Sequence, residues 1–285
     1  MKVIISEVIV KIEDVKKCKV ALTHAAKFHA DDVFGAAFLK VINPDIEIKR
    51  VNSVPENFDG IVFDIGLGKF DHHSVDNEKR ENGIPFAAFG KLWREFAPSL
   101  YGEYVYKKID KKLIESLDLS DNTGSYNALA LAIDVLNPIL KTDDGDFEFF
   151  EAVKFAKVIL ERMILKEKNH LKDLKKLKKC YEESADKRII ILNEHLYFQD
   201  YLPETEAIYV IYPSHRGGYC AQGIPKNSDT KDLKKEFPEA WLHKLPPYLR
   251  FCHTSRFLIA ANNFEDILYA CKEALKWLEM IGMKS

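Results

Sequence analysis

The sequence predicts an α/β protein in two parts joined by a long helix. A mainly parallel sheet domain is expected over 1–146, a connecting helix over 147–184 and a smaller α/β domain over 185–285. Three observations carry this reading. Short apolar runs alternate with a helical pattern near the start of the chain. One long amphipathic stretch opens at Phe147. Two further apolar runs and a closing helical pattern come after it. At 285 residues the chain can bury a full core and hold two domains.

The first element is the apolar run 19–23, which ends at His24. Over 33–42, Phe34, Ala37, Phe38 and Val41 recur at helical spacing, and Pro44 stops the pattern. Residues 47–51 fit a second strand. Residues 60–65 fit a clearer one, closed by Gly66 and Gly68. Strand, loop, helix, strand, strand is the order of a mainly parallel sheet, whose ligands sit outside the carboxyl ends of its strands. His24 and Asp64 both fall at such ends. Helical patterns follow from Phe86 through Phe96 and from Val105 to Leu117. Acidic turn residues Asp143, Asp144 and Asp146 precede the long amphipathic segment. Its second half carries Lys166, Lys168, Lys172, Lys175, Lys176, Lys178 and Lys179. Residues 188–192 and 207–212 read as strands, and Arg216-Gly217-Gly218 as a hairpin turn. A last helix opens near Asn263, with Glu265 and Asp266 suiting its dipole.

Composition excludes several classes. A formal net charge of −2 gives no global field for polyanions, so a nucleic-acid contact must be local. The five cysteines are scattered and show no metal-type pairing, which points to a reducing, cytoplasmic setting. No signal-peptide pattern and no membrane-spanning apolar run is present, so a soluble protein without membrane contact is expected.

Four of the nine histidines lie between positions 24 and 73, interleaved with aspartates. Two divalent cations about 3.5–4 Å apart can clamp a phosphoryl group, and need a bridging carboxylate with several further ligands. His24, His29 and Asp31 can point inward from one loop at a helix start. Asp64 reaches in from a neighbouring strand end and is the candidate bridge. His72 and Asp121 complete the set. A mixed Asp/His set suits Mn²⁺, with Mg²⁺, Co²⁺ or Zn²⁺ as competitors. Each residue alone has a plainer reading. Asp31 or Asp32 could cap the helix, and Asp121 could form an Asx turn.

Asp71-His72-His73, after a strand ending in Asp64, resembles the signature of the DHH phosphoesterase superfamily. Thr23-His24-x4-His29-x-Asp31, Phe63-Asp64-Ile65-Gly66, Phe70-Asp71-His72-His73 and Asp118-x2-Asp121-Asn122-x-Gly124 narrow the resemblance to the MYG family. It extends to 209–213, 221–226 and 253–257, and so over nearly the whole chain. It implies a DHH-phosphoesterase-like fold and a metal-dependent 3′–5′ exonuclease acting on RNA. By motif it makes His24, His29, Asp31, Asp64, His72 and Asp121 metal ligands. It places Asp64, Asp71 and His73 in the catalytic set, His73 also contacting substrate phosphate. The chain departs from the family at Arg256, where relatives have a small residue, and at Ala260 and Ala261, where glycines are common.

In the second domain, His253, Ser255 and Arg256 are candidate phosphate contacts, with Gln222 and Lys226 as weaker ones. The lysines from Lys166 to Lys179 read first as a solvated helix face. Expected partners are RNA or an oligonucleotide and, as an open alternative, a second copy of the chain. Two other functions stay open: a small-molecule phosphohydrolase acting on pyrophosphate or a cyclic dinucleotide, and a metal-stabilised binding protein without turnover.

Overall fold

The computed structural model describes residues 11–282 except 26, 75–76 and 140–144, with side chains through 276. Asp143 and Asp144 of the expected acidic turn therefore lie outside the described residues. The chain divides into two compact units, Met1–Lys168 and Asn169–Ser285.

The first unit is built on a three-stranded sheet in the order β2-β1-β3, all parallel. Its central strand β1 (Val20–His24) is buried over Ala21, Leu22 and Thr23, as a strand covered on both faces must be. β2 (Glu47–Val51) pairs along its whole length with β1. β3 (Ile61–Val62) is shorter than the run over 60–65 suggests. The chain turns after Phe63, which bridges to Phe70, and Asp64 has φ 55°. A left-handed residue cannot continue a strand, and aspartate tolerates that conformation better than most side chains.

Helix α1 (Ile12–Lys17) leads into β1, and α2 (Ala30–Ile42) follows it. The α2 helix opens three residues earlier than the apolar spacing from Val33 predicts. Asp32 at its third position reaches back, its Oδ1 accepting from the backbone N–H of His29 at 2.8 Å. That reciprocal cap starts the helix at Ala30. Every residue from Ala30 to Leu39 is buried.

The two helical patterns expected between Phe86 and Leu117 are longer and continuous. Helix α3 (Ala88–Ile109) carries a kink at Gly102, with φ 80° and ψ 162°. A π-helical stretch, Asp110–Ile114, leads into α4 (Glu115–Thr123), which Gly124 closes in the left-handed conformation. Asp121 thus lies in the last turn of a helix rather than in an Asx turn. Helix α5 (Ala128–Asp134) is short and capped by the Asn127 side chain. Helix α6 (Asp146–Glu183) has 38 residues and crosses from the first unit into the second.

The second unit holds a five-stranded mixed sheet, in spatial order β4-β5-β6-β8-β7. Its strands are β4 (Ile189–Ile191), β5 (Tyr209–Pro213), β6 (Tyr219–Gly223), β7 (Phe251–Cys252) and β8 (Leu258–Ala261). Only β4 and β5 pair in parallel. β5 and β6 form the hairpin expected at Arg216-Gly217-Gly218. A Cβ on Gly218 would lie 2.2 Å from the Ala261 carbonyl oxygen, so the turn needs glycine there. Short helix α7 (Ala240–His243) and closing helix α8 (Phe264–Gly282) complete the unit. No helix among the described residues is long and apolar enough to cross a membrane.

Candidate metal centre

The ends of β1 and β3 and the start of α2 deliver polar side chains to one place. His24 closes β1. Its Nδ1 lies 2.8 Å from the Ala25 carbonyl oxygen, so that nitrogen donates and Nε2 is left for the site. His24 Nε2 stands 3.1 Å from Asp64 Oδ2 and 3.5 Å from Asp32 Oδ2. On the other side His72 Nδ1 stands 3.2 Å from Asp64 Oδ1 and 3.6 Å from Asp31 Oδ2. His72 Nε2 is 3.0 Å from Asp121 Oδ2. The Asp64 carboxylate therefore turns one oxygen to His24, which Asp32 also approaches, and the other to His72, around which Asp31 and Asp121 gather.

The site is buried. Asp31, Asp32 and Asp64 are at most 3 % exposed. Asp31 accepts from the Asp32 and Ala88 backbone N–H groups. Asp64 Oδ1, Asp32 Oδ2 and His72 Nδ1 have no partner in hydrogen-bonding geometry, close as they are. Orphaned buried polar atoms are costly, and here all three face a shared centre of carboxylate and imidazole. The donor set fits divalent cations: hard oxygens with borderline nitrogens, in overlapping groups of which two, His24-Asp32-Asp64 and Asp64-Asp71-His72-His73, share Asp64 and a third is Asp31-His72-Asp121.

Electrostatics point the same way. Burial opposes a charged His24, but Asp64 and Asp32 outweigh it and lift the imidazole to about 9. Burial also opposes a charged His72, and Asp121 and Asp64 lift it to about 10. Burial, reinforced by neighbouring carboxylates, raises Asp31 well above its ordinary range. Burial opposes ionisation of Asp64 as well, yet the two histidines hold it below the usual carboxylate value. Without cations, the site must retain protons on its histidines to balance its carboxylates.

The remaining predicted residues are placed as follows. His29 is exposed, with its ring centroid 6.1 Å from that of His24, and it lines the same cavity without joining either close group. Asp71 is buried and its oxygens are taken. Oδ2 accepts from the Leu67 N–H at 2.7 Å, and Oδ1 meets the His73 N–H at 3.1 Å and Nδ1 at 2.7 Å. His73, stacked on His72 at 4.2 Å, keeps Nε2 free at the wall of a cavity of about 700 Å³.

Two residues that support the site escaped sequence reading, and a third, Asp32, was read only as a helix cap. Asp32 offers its second oxygen to His24 besides capping α2. Lys91 is 6 % exposed and donates from Nζ to the Asp71 carbonyl oxygen at 2.7 Å. Its signal was a lysine among the core-spaced Phe89, Leu92 and Trp93. Arg80 forks onto Asp110 and lies 2.7 Å from the fully buried Asp118, with Phe86 under its guanidinium at 4.1 Å. Asp118 approaches α3 so closely that a Cβ on Gly90 would sit 1.9 Å from its Oδ2. This cluster fixes α4, and with it Asp121.

In the second unit the candidates do not form one group. Gln222 accepts from the Tyr212 hydroxyl at 3.1 Å. His253 Nδ1 accepts from the Ser255 N–H at 3.0 Å. Arg256 has φ 51° and is ion-paired with Glu236 and, at 3.7 Å, with Glu239. Arg256 and Lys226 share a cavity of about 600 Å³ that Gln222, His253 and Ser255 do not line. Of the lysine run, Lys168 lies over Tyr101, Lys178 over Tyr201, and Lys176 pairs with Glu194.

A sequence model of the family described as MYG1_exonuc, uncharacterised protein family UPF0160, matches residues 20–275. The chain belongs to this family. The match spans every residue of the candidate metal centre and the Arg256 turn. Another protein similar to this chain is the "MYG1 protein" of Chlamydia trachomatis serovar D (strain ATCC VR-885 / DSM 19411 / UW-3/Cx). It is 23% identical over 292 residues, covering 89% of this chain and 94% of the relative. No solved structure matches. Membership of the MYG1_exonuc family agrees with the resemblance read from the His-x4-His-x-Asp and Asp-His-His strings.

Proposed function

We propose that the protein is a divalent-metal-dependent phosphodiesterase of DHH-phosphoesterase-like arrangement, working on RNA or short oligonucleotides from the 3′ end. The observation that carries this is the Asp64 carboxylate, with one oxygen turned to His24 and the other to His72. The exonuclease in the family's name supports a nucleic-acid substrate.

His24 and Asp64, with Asp32 beside them and His29 on the cavity wall, would hold one cation, and Asp31, Asp64, His72 and Asp121 the other, Mn²⁺ being the first choice. When bound, such a pair lowers the pKa of water and stabilises a phosphoryl group. The rest falls to the chain. Asp71 fixes the His73 ring through Nδ1, so that Nε2 can meet a substrate phosphate oxygen. Lys91 holds the Asp71 backbone from behind. Residues 185–285 would supply further contacts, with Arg256 and Lys226 as the basic groups. The five free thiols suit a cytoplasmic location.

A small phosphate ester or pyrophosphate is the second reading, favoured by the cavity of about 700 Å³, a small-ligand size. Labelled RNA, DNA, dinucleotides and pyrophosphate, each offered to the Mn²⁺-loaded protein, separate the two. Stepwise release of mononucleotides supports the first reading, and turnover of pyrophosphate alone rejects it.

Metal binding should be steeply pH-dependent. His24 and His72, lifted to about 9 and about 10, are protonated at neutral pH, and each must lose its proton to ligate. Mn²⁺ affinity should therefore rise with pH as these protons are released and flatten above about pH 9–10. Calorimetry in buffers of different ionisation enthalpy reads the released protons directly. Binding without proton release would reject the ligand set.

Arg256 should separate substrate contact from stability. A non-glycine residue in the left-handed region costs about 1–2 kcal/mol, and an exposed ion pair returns about 0–1 kcal/mol. Arg256→Gly should thus hold or raise the melting temperature. If Arg256 meets substrate phosphate, the same variant raises KM for oligonucleotides. A lower melting temperature with unchanged KM would make the arginine purely structural.

A further inference from the structure

Helix α6 is anomalous on its outer face. Its core face is ordinary: Phe149, Ala152, Val153, Ala156, Leu160 and Ile164 are all buried. The opposite face should be polar, yet Phe147, Phe155, Val158 and Leu165 are 71 %, 44 %, 58 % and 53 % exposed. With Glu151 and Arg162 they fall within an arc of about 80°, at 100° per residue, and the stripe runs about 27 Å. All of it lies in the first unit.

The stripe has a symmetry of its own. Set the helix antiparallel to a copy of itself, about a two-fold axis level with residues 156 and 157. Phe155 then faces Val158 of the copy, and Val158 faces Phe155. Glu151 faces Arg162, and Arg162 faces Glu151. Phe147 and Leu165 close the two ends. A two-fold interface requires this self-complementarity, in which residue i meets j and j meets i. Arg162 makes no ion pair among the described residues, so its charge is available. Glu151 holds only the exposed Lys154, at 2.6 Å on its own helix. An apolar centre with opposite charges at its rim is the build of a protein interface.

We infer that the outer face of α6 seats a second copy of this chain in an antiparallel, two-fold pair. The inference stands independently of the metal centre.

Sedimentation equilibrium of the full-length protein tests it. The expected mass is twice the 32.8 kDa of the chain. Glu151→Arg and Arg162→Glu should each weaken the dimer Kd at least about tenfold, since each puts like charges opposite one another. The double variant re-forms the pair with its signs exchanged and should return to near the wild-type Kd. Val158→Asp, at the centre, should give a monomer. All three positions are exposed, so far-UV circular dichroism should be unchanged in every variant. A monomer at every concentration tested overturns the inference. So does a dimer indifferent to Val158→Asp, or one in which the double variant is no tighter than the single ones.

Discussion

Asp64→Asn should abolish turnover to below about a thousandth of wild type, more than loss of a single electrostatic donor costs, and should remove at least one bound Mn²⁺. An amide keeps the shape but not the charge. It offers one oxygen where the carboxylate turns 3.1 Å towards His24 and 3.2 Å towards His72. Two cations sharing that residue would lose their common counter-charge, and their repulsion would no longer be offset. His73→Ala makes the contrast. Its Nδ1 is held by Asp71, and more than half of its side chain is exposed. Metal content should therefore survive while turnover falls. Metal analysis paired with rate measurement on both variants reads this. Equal metal loss in the two would mean that bridge and substrate contact have been divided wrongly.

Arg80→Met should be the most destabilising change outside the metal centre, by about 3–5 kcal/mol at pH 8, the cost of stripping one partner from a buried ion pair. Arg80 is 8 % exposed in its side chain and Asp118 is fully buried. The loss should depend on pH with a definite sign. Burial raises Asp118 to about 7, with Arg80 opposing that rise. A carboxyl raised in the folded state stabilises fully below its unfolded value, and loses that contribution as pH climbs through the folded one. Without Arg80 the folded value climbs further, so the deficit grows above neutral pH and shrinks towards pH 5. Melting curves from pH 5 to 8 test this, and a pH-independent deficit would contradict it. Because α4 carries Asp121, Mn²⁺ affinity should fall together with stability.

The central strand of the first unit was legible because a parallel strand buried on both faces leaves a continuous apolar run, whereas β2 is an edge strand with only Ile48 fully buried. The run 47–51 matches β2, and the run before His24 matches β1 to within a residue. Where helix starts were misjudged, the cause was polar. Apolar spacing begins at Val33, but the cap formed by Asp32 begins α2 at Ala30. The end of β3 at Val62 was hidden because nothing in Phe63-Asp64 marks a left-handed aspartate. The kink at Gly102 and the π-helical turn after it leave no period to read.

The centre itself was partly legible. His24 and Asp64 could be singled out by residue type and strand-end position, and Asp31, His72 and Asp121 only through the spacing of the motifs that carry them. Asp32 was passed over because a capping aspartate and a site aspartate look alike in sequence. Lys91 and Arg80 act through contacts 20 to 38 positions away along the chain, to the Asp71 carbonyl and the Asp118 carboxylate. No local pattern announces such pairs. The Arg256 turn was legible as a motif, but its glutamate partners, Glu236 and Glu239, were not.

The most direct measurement is hydrolysis of 5′-labelled RNA by the full-length protein as Mn²⁺ is titrated in, with bound metal counted in the same samples. The expected result is a ladder shortening from the 3′ end. Its rate should rise with the second Mn²⁺ bound per chain and vanish in Asp64→Asn. Two metals bound with the RNA left intact, or cleavage that persists in Asp64→Asn, would contradict the central claim.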